Sequence, residues 1–412
     1  MAANVLFITW DGPQVCYLES LFLPIFKRLA ERGYAFHILQ FTWAGNAQKC
    51  ALKKIAEEQG CSYRCVSVLR WPVGAGSLMT AFWGSWQVRR AIRELGIDIV
   101  MPRSTLPALA ATLALRHIPG VGLLFDADGL PHDERVDFGN WSPDGIAYRL
   151  LRDIEALATR RAKAVLTRST KAIDILIARG GAGIDSAKFH VVTNGRDEKV
   201  FRPSLNGERL AVRRGLGIED TAPLLAYVGS MGAQYCGREM LEFFRLVRYR
   251  RKDARLLLLT GSPDQADGLL SEFEDVRSSC HVRRLPPDEV PRFLGACDLG
   301  LALRRPSFSM QAVAPIKLGE YLLCGLPVLA TRAIGDTDEL VTDRVGHSLH
   351  TMSLGELEGA AEWFLHTVLP DAGGFRGRCR DVGLQNFSLT ATVDVYANAL
   401  AAIQQGRATS SV

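Results

Sequence analysis

Along this chain, short apolar runs rich in β-branched residues alternate with longer stretches whose apolar positions recur every three or four residues. The first pattern belongs to buried strands and the second to helices packed on one face. Strands are predicted over residues 4–9, 36–41, 62–69, 97–101, 121–125, 165–167 and 188–193, and 62–69 is polar enough for a sheet edge. Helices are predicted over 21–33, where Pro24 starts or kinks the helix, and over 46–58, 78–95, 147–164 and 169–178, with Ser169 as an N-cap. The second half repeats the pattern with strands at 224–228, 256–260, 282–285, 299–303 and 328–330. Its helices fall at 238–248 and 288–296, with a helix start within 333–340, an amphipathic tail helix over 387–404, and a polar, frayed end at 407–412. Strand–helix alternation of this kind predicts α/β, doubly wound sheets. A chain of 412 residues is long for one core, so two domains are expected, with the boundary close to Pro203.

Composition changes this picture little. Hydrophobic residues make up 48% of the chain, and no apolar run approaches the length of a membrane span. Residues 1–10 have no basic start and no cleavage-type ending, so they read as a first strand in a soluble, cytoplasmic protein. The net charge of +5 is too diffuse to argue for nucleic acid. It suits anionic nucleotide-sugars or an anionic membrane surface. Helix 147–164 carries Arg149, Arg152, Arg160, Arg161 and Lys163, which fits either a solvated face or peripheral membrane contact. The nine cysteines are scattered, and Cys61 and Cys65 lack a second pair at zinc spacing, so reduced structural thiols are expected.

Candidate chemistry concentrates in three places. The stretch 315–328 reads as a short helix with marked ends: Pro315 at the first helical position, Gly325 at the left-handed cap, Pro327 beyond. Lys317 and Glu320, three apart, share a face near the N-terminus, where phosphate is favoured. A phosphate binder followed by a diol binder suits a nucleotide-sugar. An exposed ion pair is the alternative. Gly229-Ser230-Met231-Gly232 forms a tight turn into helix 238–248, offering backbone N–H groups to a phosphate. The third place is 126–135, Asp-Ala-Asp-Gly-Leu-Pro-His-Asp-Glu-Arg, which follows a strand end and is expected to be an active-site loop rather than a solvated turn. Asp126 and Asp128 have Asp-x-Asp spacing, but no metal site is assigned. Gly74-Ala75-Gly76 lacks the third glycine of a dinucleotide fingerprint and is expected to be a flexible loop before helix 78–95.

Residues 317–328 read K-x-x-E-Y-x-x-x-G-x-P-V, 306–309 read Pro-Ser-Phe-Ser, and 227–230 read Tyr-Val-Gly-Ser. Through these motifs most of the chain resembles the retaining glycosyltransferases of the GT-B fold, family 4. The resemblance implies two Rossmann-like domains facing across a cleft. Residues 1–200 would bind the acceptor and 203–386 the nucleotide-sugar, with Asn194-Gly195-Arg196-Asp197 as linker and helix 387–405 packing back on the first domain. It implies metal-independent transfer, without a cofactor, from a nucleoside-diphosphate sugar to a glycan, lipid-linked or other hydroxyl acceptor, as in polysaccharide biosynthesis.

The catalytic residues implied are Asp126, Asp128, Glu134, Lys317 and Glu320. The donor would meet Gly12, Gly229, Ser230, Met231, Arg238, Arg284, Leu285, Arg304, Ser309, Lys317, Leu318 and Glu320, and the acceptor Arg103, Ser104 and His132. The chain departs from the family where Ser230 and Cys236 replace a basic pair, where Ala312 replaces an acidic residue, and where Ala127-Asp128 precede Gly129. Arg238 or Arg304 would then assist Lys317. A nucleotide-sugar epimerase of the same fold and a degenerate GT-B scaffold are the rival readings. A nicotinamide dehydrogenase is poorly supported without the glycine fingerprint.

Overall fold

The computed structural model describes residues 3–72 and 74–409. By contacts the chain divides into two units, Met1–Val192 with Thr392–Val412, and Thr193–Ala391. The segment 193–202 therefore packs with the second unit.

The first unit holds one sheet of seven parallel strands: β1 (Ala3–Asp11), β2 (Tyr34–Thr42), β3 (Ser62–Ser67), β4 (Ile99–Pro102), β5 (Gly122–Asp126), β6 (Ala164–Thr167) and β7 (Phe189–Val191). Their order is β3-β2-β1-β4-β5-β6-β7. β1 pairs β2 on one side, Ala3 opposite Tyr34 through Asp11 opposite Thr42, and β4 on the other. Val5, Phe7 and Ile8 are fully buried because helices cover both faces of a parallel sheet. β3 lies at the edge, as its polarity predicts. The helices are α1 (Leu23–Ala30), α2 (Asn46–Glu58), α3 (Ala75–Leu95), α4 (Thr105–Leu115), α5 (Pro131–Asp137), α6 (Ile146–Arg161) and α7 (Thr170–Gly180). Ser169 caps α7 by accepting from the Ala172 N–H at 3.2 Å. Two expectations are corrected here. Ala75 and Gly76 are not loop but the first turn of α3, and α4 is a helix that the apolar period misses. Its sequence TLPALAATLAL is apolar all round, so it carries no amphipathic signal.

The second unit repeats the plan with β8 (Leu224–Val228), β9 (Arg255–Leu259), β10 (Cys280–Arg283), β11 (Leu299–Ala302), β12 (Val328–Thr331) and β13 (Gly346–Leu349). All are parallel, in the order β10-β9-β8-β11-β12-β13. Helices α8 (Asn206–Gly215) and α9 (Gly237–Arg250) open the unit. The helices Leu354–Trp363 and Ala372–Phe387 have no counterpart in the sequence prediction, the second because its glycines and arginines hide any apolar stripe. The chain turns at Ser388, whose Oγ accepts from the Ala391 N–H at 3.0 Å, into the last helix, Leu389–Thr409. Of the end expected to fray over 407–412, residues 407–409 continue this helix, and 410–412 lie outside the described residues. In both sheets the order reverses beside the first strand, between β1 and β4 and between β8 and β11. Such switch points open a crevice at the strands' carboxyl ends, where ligands bind in this architecture.

Candidate active site

The helix Ile316–Leu323 joins β11 to β12 beside the second switch point. Pro315 does not occupy its first position but precedes it, extended at φ −63°, ψ 118°, and Gly325 closes it at φ +75°. The helix is buried nearly all round. The side chains of Leu318, Tyr321 and Leu322 pack into the core. Lys317 and Glu320 do not form the ion pair their spacing allows. Lys317 Nζ is buried and has no hydrogen-bond partner. It lies 3.9 Å from the centre of the Tyr227 ring and 4.7 Å from that of Tyr235. The turn after β8 passes beside it at Gly229 (φ +133°), where an added Cβ would stand 3.2 Å from Nζ. A side chain would thus meet both strain and the ammonium at this position. The Gly229 N–H is not open to a phosphate, because it donates to the Leu259 carbonyl at 2.9 Å.

Arg304, just past β11, stacks on Tyr235 at 4.9 Å and donates to its hydroxyl at 3.3 Å. Its Nε is buried and unpartnered. Burial, and then the Arg304 charge, hold the Lys317 ammonium well below its ordinary pKa, with Glu320 offsetting part of this. Glu320 is itself pushed up by burial against the pull of Arg196 and Lys317. Its Oε1 accepts from Arg196 Nε at 2.9 Å. Asn194 Nδ2 donates to the Ala314 carbonyl at 2.7 Å, so the 194–197 motif braces the start of the helix. Two basic side chains beside the Tyr235 ring, Lys317 without a hydrogen-bond partner, suit an anion of more than one charge.

The other expected donor residues are less uniformly placed. The Ser230 carbonyl accepts from the Tyr227 hydroxyl. Met231 packs against the core, as does Leu285. Ser309 is buried, with Oγ 3.2 Å from Ser307 Oγ. Arg284 is exposed just beyond β10. Arg238 is exposed and pairs with Glu272. Cys236 and Ala312 are buried and uncharged. Arg196 and the two tyrosines are the residues that sequence reasoning missed. Arg196 was legible only as part of a linker motif, and Tyr227 only as part of a strand and of the Tyr-Val-Gly-Ser motif.

In the first unit the carboxyl ends of β1, β4, β5 and β6 converge on one charged cluster. Arg168 donates to both oxygens of Asp126, at 2.8 and 2.9 Å. Asp126 is completely buried, so it positions Arg168 and does not meet solvent. Burial opposes the Arg168 charge, but Asp126 and Asp128 outweigh it and raise its pKa. Asp128, at φ +54°, pairs with Arg103 at 2.6 Å and approaches Arg168 at 3.6 Å. Arg103 also approaches Asp11 at 3.7 Å. Ser104, at φ +68°, donates its N–H to the Asp126 carbonyl at 2.8 Å. Aspartate tolerates this left-handed region, whereas Ser104 is held in it by its N–H bond to the Asp126 carbonyl. Gly12 follows β1, and an added Cβ there would strike the Trp43 indole at 2.5 Å.

Arg103, Ser104 and His132 line a cavity of about 910 Å³ together with Trp10, Trp43 and Trp141. His132 Nε2 lies 2.7 Å from Thr105 Oγ1, and its ring stacks on Trp141. Burial, then Arg135, lower its pKa to about 4, so the ring is neutral. Glu134, half-buried on α5, does not line this cavity. On the basic helix α6, Arg160 and Arg161 donate to the carbonyls of Gly180 and Thr112 and remain exposed.

Residues 21–195 match the model of the glycosyl transferase 4-like domain. Over this segment, less than half of the chain, the likeness is to a glycosyl transferase 4-like domain. Two curated relatives extend the likeness. Alpha-maltose-1-phosphate synthase of Mycolicibacterium smegmatis is 25% identical over 215 residues, 50% of this chain and 53% of that protein. D-inositol 3-phosphate glycosyltransferase of Kribbella flavida is 30% identical over 172 residues, 40% of this chain and 39% of that one. The chain thus spans about half or less of these relatives. Among solved structures, Anabaena HepE in complex with UDP superposes with a TM-score of 0.70 at 17% identity, covering 97% of this chain and 99% of its own. The lipopolysaccharide glycosyltransferase WaaG gives 0.65 at 18%, covering 96% and 98%. The two Rossmann-like units therefore make up a GT-B fold.

Proposed function

We propose that this chain is a retaining glycosyltransferase that moves a sugar from a nucleoside-diphosphate donor to a hydroxyl of a glycan, lipid-linked or other acceptor. The observation that carries this is Lys317, a buried ammonium without an acceptor beside Arg304. A buried group left in that state costs stability, and a diphosphate in the pocket supplies the missing partner. The relatives' names, a synthase and a glycosyltransferase, and the UDP bound by HepE support the choice of anion.

Lys317 and Arg304 stabilise the charge that develops on the diphosphate as the sugar–phosphate bond breaks toward an oxocarbenium-like state. Arg196 occupies Oε1 of Glu320 and orients it, leaving Oε2 to accept from the ribose diol. The acceptor hydroxyl attacks from the face the diphosphate leaves, and a donor phosphate oxygen takes its proton. Neither a metal nor a protein base is needed in this mechanism. The acceptor lies in the cavity lined by Arg103, Ser104 and His132, where neutral His132 orients it by hydrogen bonding. In this reading the enzyme is cytoplasmic and meets lipid-linked acceptors at the inner face of the membrane. The uncharged Ser230 and Cys236 favour a second reading, a donor-binding scaffold without turnover.

A thermal-shift screen of UDP, GDP, ADP, CMP and dTDP, wild type beside Glu320→Ala, tests the donor site. A nucleotide at about 100 times its dissociation constant stabilises by about 2.7 kcal/mol. One nucleotide that shifts only the wild type supports the site, and no shift with any refutes it. Release of free nucleoside diphosphate only when an acceptor is present then distinguishes the transferase from an epimerase or a scaffold.

A further inference from the structure

Helix α3 is arranged against the usual order of size. Over its first three turns the face it buries is built from small residues, Gly76, Thr80, Ala81, Gly84 and Ser85, with Val88, Ala91 and Ile92 following. An added Cβ at Gly84 would strike the Phe41 ring of β2 at 2.5 Å, so close packing enforces the small face. The outward face carries Met79, Phe82, Trp83 and Trp86, which are 44%, 63%, 60% and 60% exposed. Their spacing of i, i+3, i+4, i+7 makes one continuous apolar stripe on a two-turn stretch. Trp71, in the segment that leads from β3 into α3, is 82% exposed.

A monomer gains nothing from presenting this stripe to water, and apolar surface of that kind marks a docking face. The charges around it say what docks. Arg90 and Arg93 continue the stripe along the helix, both exposed, and the Arg90 guanidinium lies 6.0 Å from the Trp86 ring. A groove of about 650 Å³ beside the stripe is lined by Phe82, Trp83 and Trp86 with Arg89, Arg116 and His117, and by no carboxylate. Glu94, on the same helix, is already engaged by Arg64 and Arg90. A second copy docking by the same face would set arginine against arginine. Tryptophan set among cations matches the headgroup region of an anionic bilayer, where the ring is half in hydrocarbon and arginine meets phosphate.

We propose that the outward face of α3 seats this protein on an anionic lipid bilayer. The surface uses none of the residues of the proposed donor site and requires no turnover. The test is co-sedimentation of the full chain with vesicles of phosphatidylcholine alone, or of phosphatidylcholine and phosphatidylglycerol in equal parts. The wild type pellets with the anionic vesicles, and its tryptophan emission shifts to the blue. Phe82→Ser/Trp83→Ser/Trp86→Ser abolishes both signals. Arg90→Gln/Arg93→Gln/Arg116→Gln weakens binding roughly a hundredfold, at about fivefold per cation near the surface. Both triple variants change exposed side chains, and an unchanged melting midpoint confirms that they fold. No binding, binding indifferent to lipid charge, or binding that survives the aromatic substitutions overturns the proposal. So does a wild-type dimer in light scattering that the aromatic variant dissociates, since the face would then serve a second copy. A wild type that binds anionic vesicles but shows no shift with any nucleotide would leave this proposal standing while refuting the donor site.

Discussion

Replacing Lys317 by methionine should make the free protein more stable and the nucleotide-bound protein less so. Lys317 Nζ is buried without a partner. A buried polar group in that state costs about 1–3 kcal/mol, and more when charged. The Tyr227 ring 3.9 Å away returns up to about 2 kcal/mol to the charged form. Methionine fills a similar unbranched path with no group to desolvate. The expected net gain is about 1 kcal/mol, a rise of about 2–4 °C in midpoint for a domain of this size. With UDP present the order reverses. Losing one partner of a buried charge pair costs about 2–5 kcal/mol, so affinity falls by about thirtyfold or more. The sign with pH follows from the same residue. Its folded pKa lies below the ordinary value, so between the two the unfolded chain binds more protons and wild-type stability rises with pH. The variant lacks that rise. Scanning fluorimetry with and without UDP, at two pH values, reads all three effects. A free variant less stable than wild type, or one that keeps the full UDP shift, would refute the argument that Lys317 awaits an anion.

Two further substitutions follow from the same geometry. Arg196→Met leaves Glu320 buried without its ion-pair partner and should lower stability in urea by about 3–5 kcal/mol; a loss below about 1 kcal/mol would mean that Arg196 does not hold the carboxylate. His132, neutral in the fold with a pKa of about 4 through burial and then Arg135, takes up its proton near 6.5 when unfolded. Its contribution is therefore lost as pH falls from about 6.5 toward 4, at about 1.4 kcal/mol per unit. Between pH 7 and 5, His132→Gln should lose about 2 kcal/mol less than wild type in urea unfolding, and equal losses would show that the ring is not desolvated.

Much of the architecture was legible because it is written in neighbours along the chain. The runs 5–8 and 224–228 are apolar on both faces, as strands covered by two helical layers must be, 36–41 is mostly apolar, and each became a strand. The α2 bounds, the Ser169 cap and the left-handed Gly325 were all readable from local pattern. Helix α4 was not, because a helix apolar all round has no period to read. The Gly74-Ala75-Gly76 stretch looked like a loop because glycine disfavours helix, yet Gly76 is needed where the Leu69 carbonyl passes 2.6 Å from the position of its Cβ.

What the sequence by itself determined was therefore periodicity, turn chemistry and the short motifs that bring Lys317 and Glu320 onto one turn. Partnership was decided by the tertiary structure. Glu320 is held by Arg196, 124 residues away, and not by Lys317 three residues away. Asp126 is sealed by Arg168, 42 residues on, which turns an apparent catalytic acid into a support. Lys317 is left alone between two tyrosines, and the tryptophans of α3 face outward although they are the largest aromatic side chains on that helix. Local propensity acts between residues a turn apart. The charge a buried group keeps, and the side of a helix that meets water, depend on which strand ends and which small faces the folded sheet brings together.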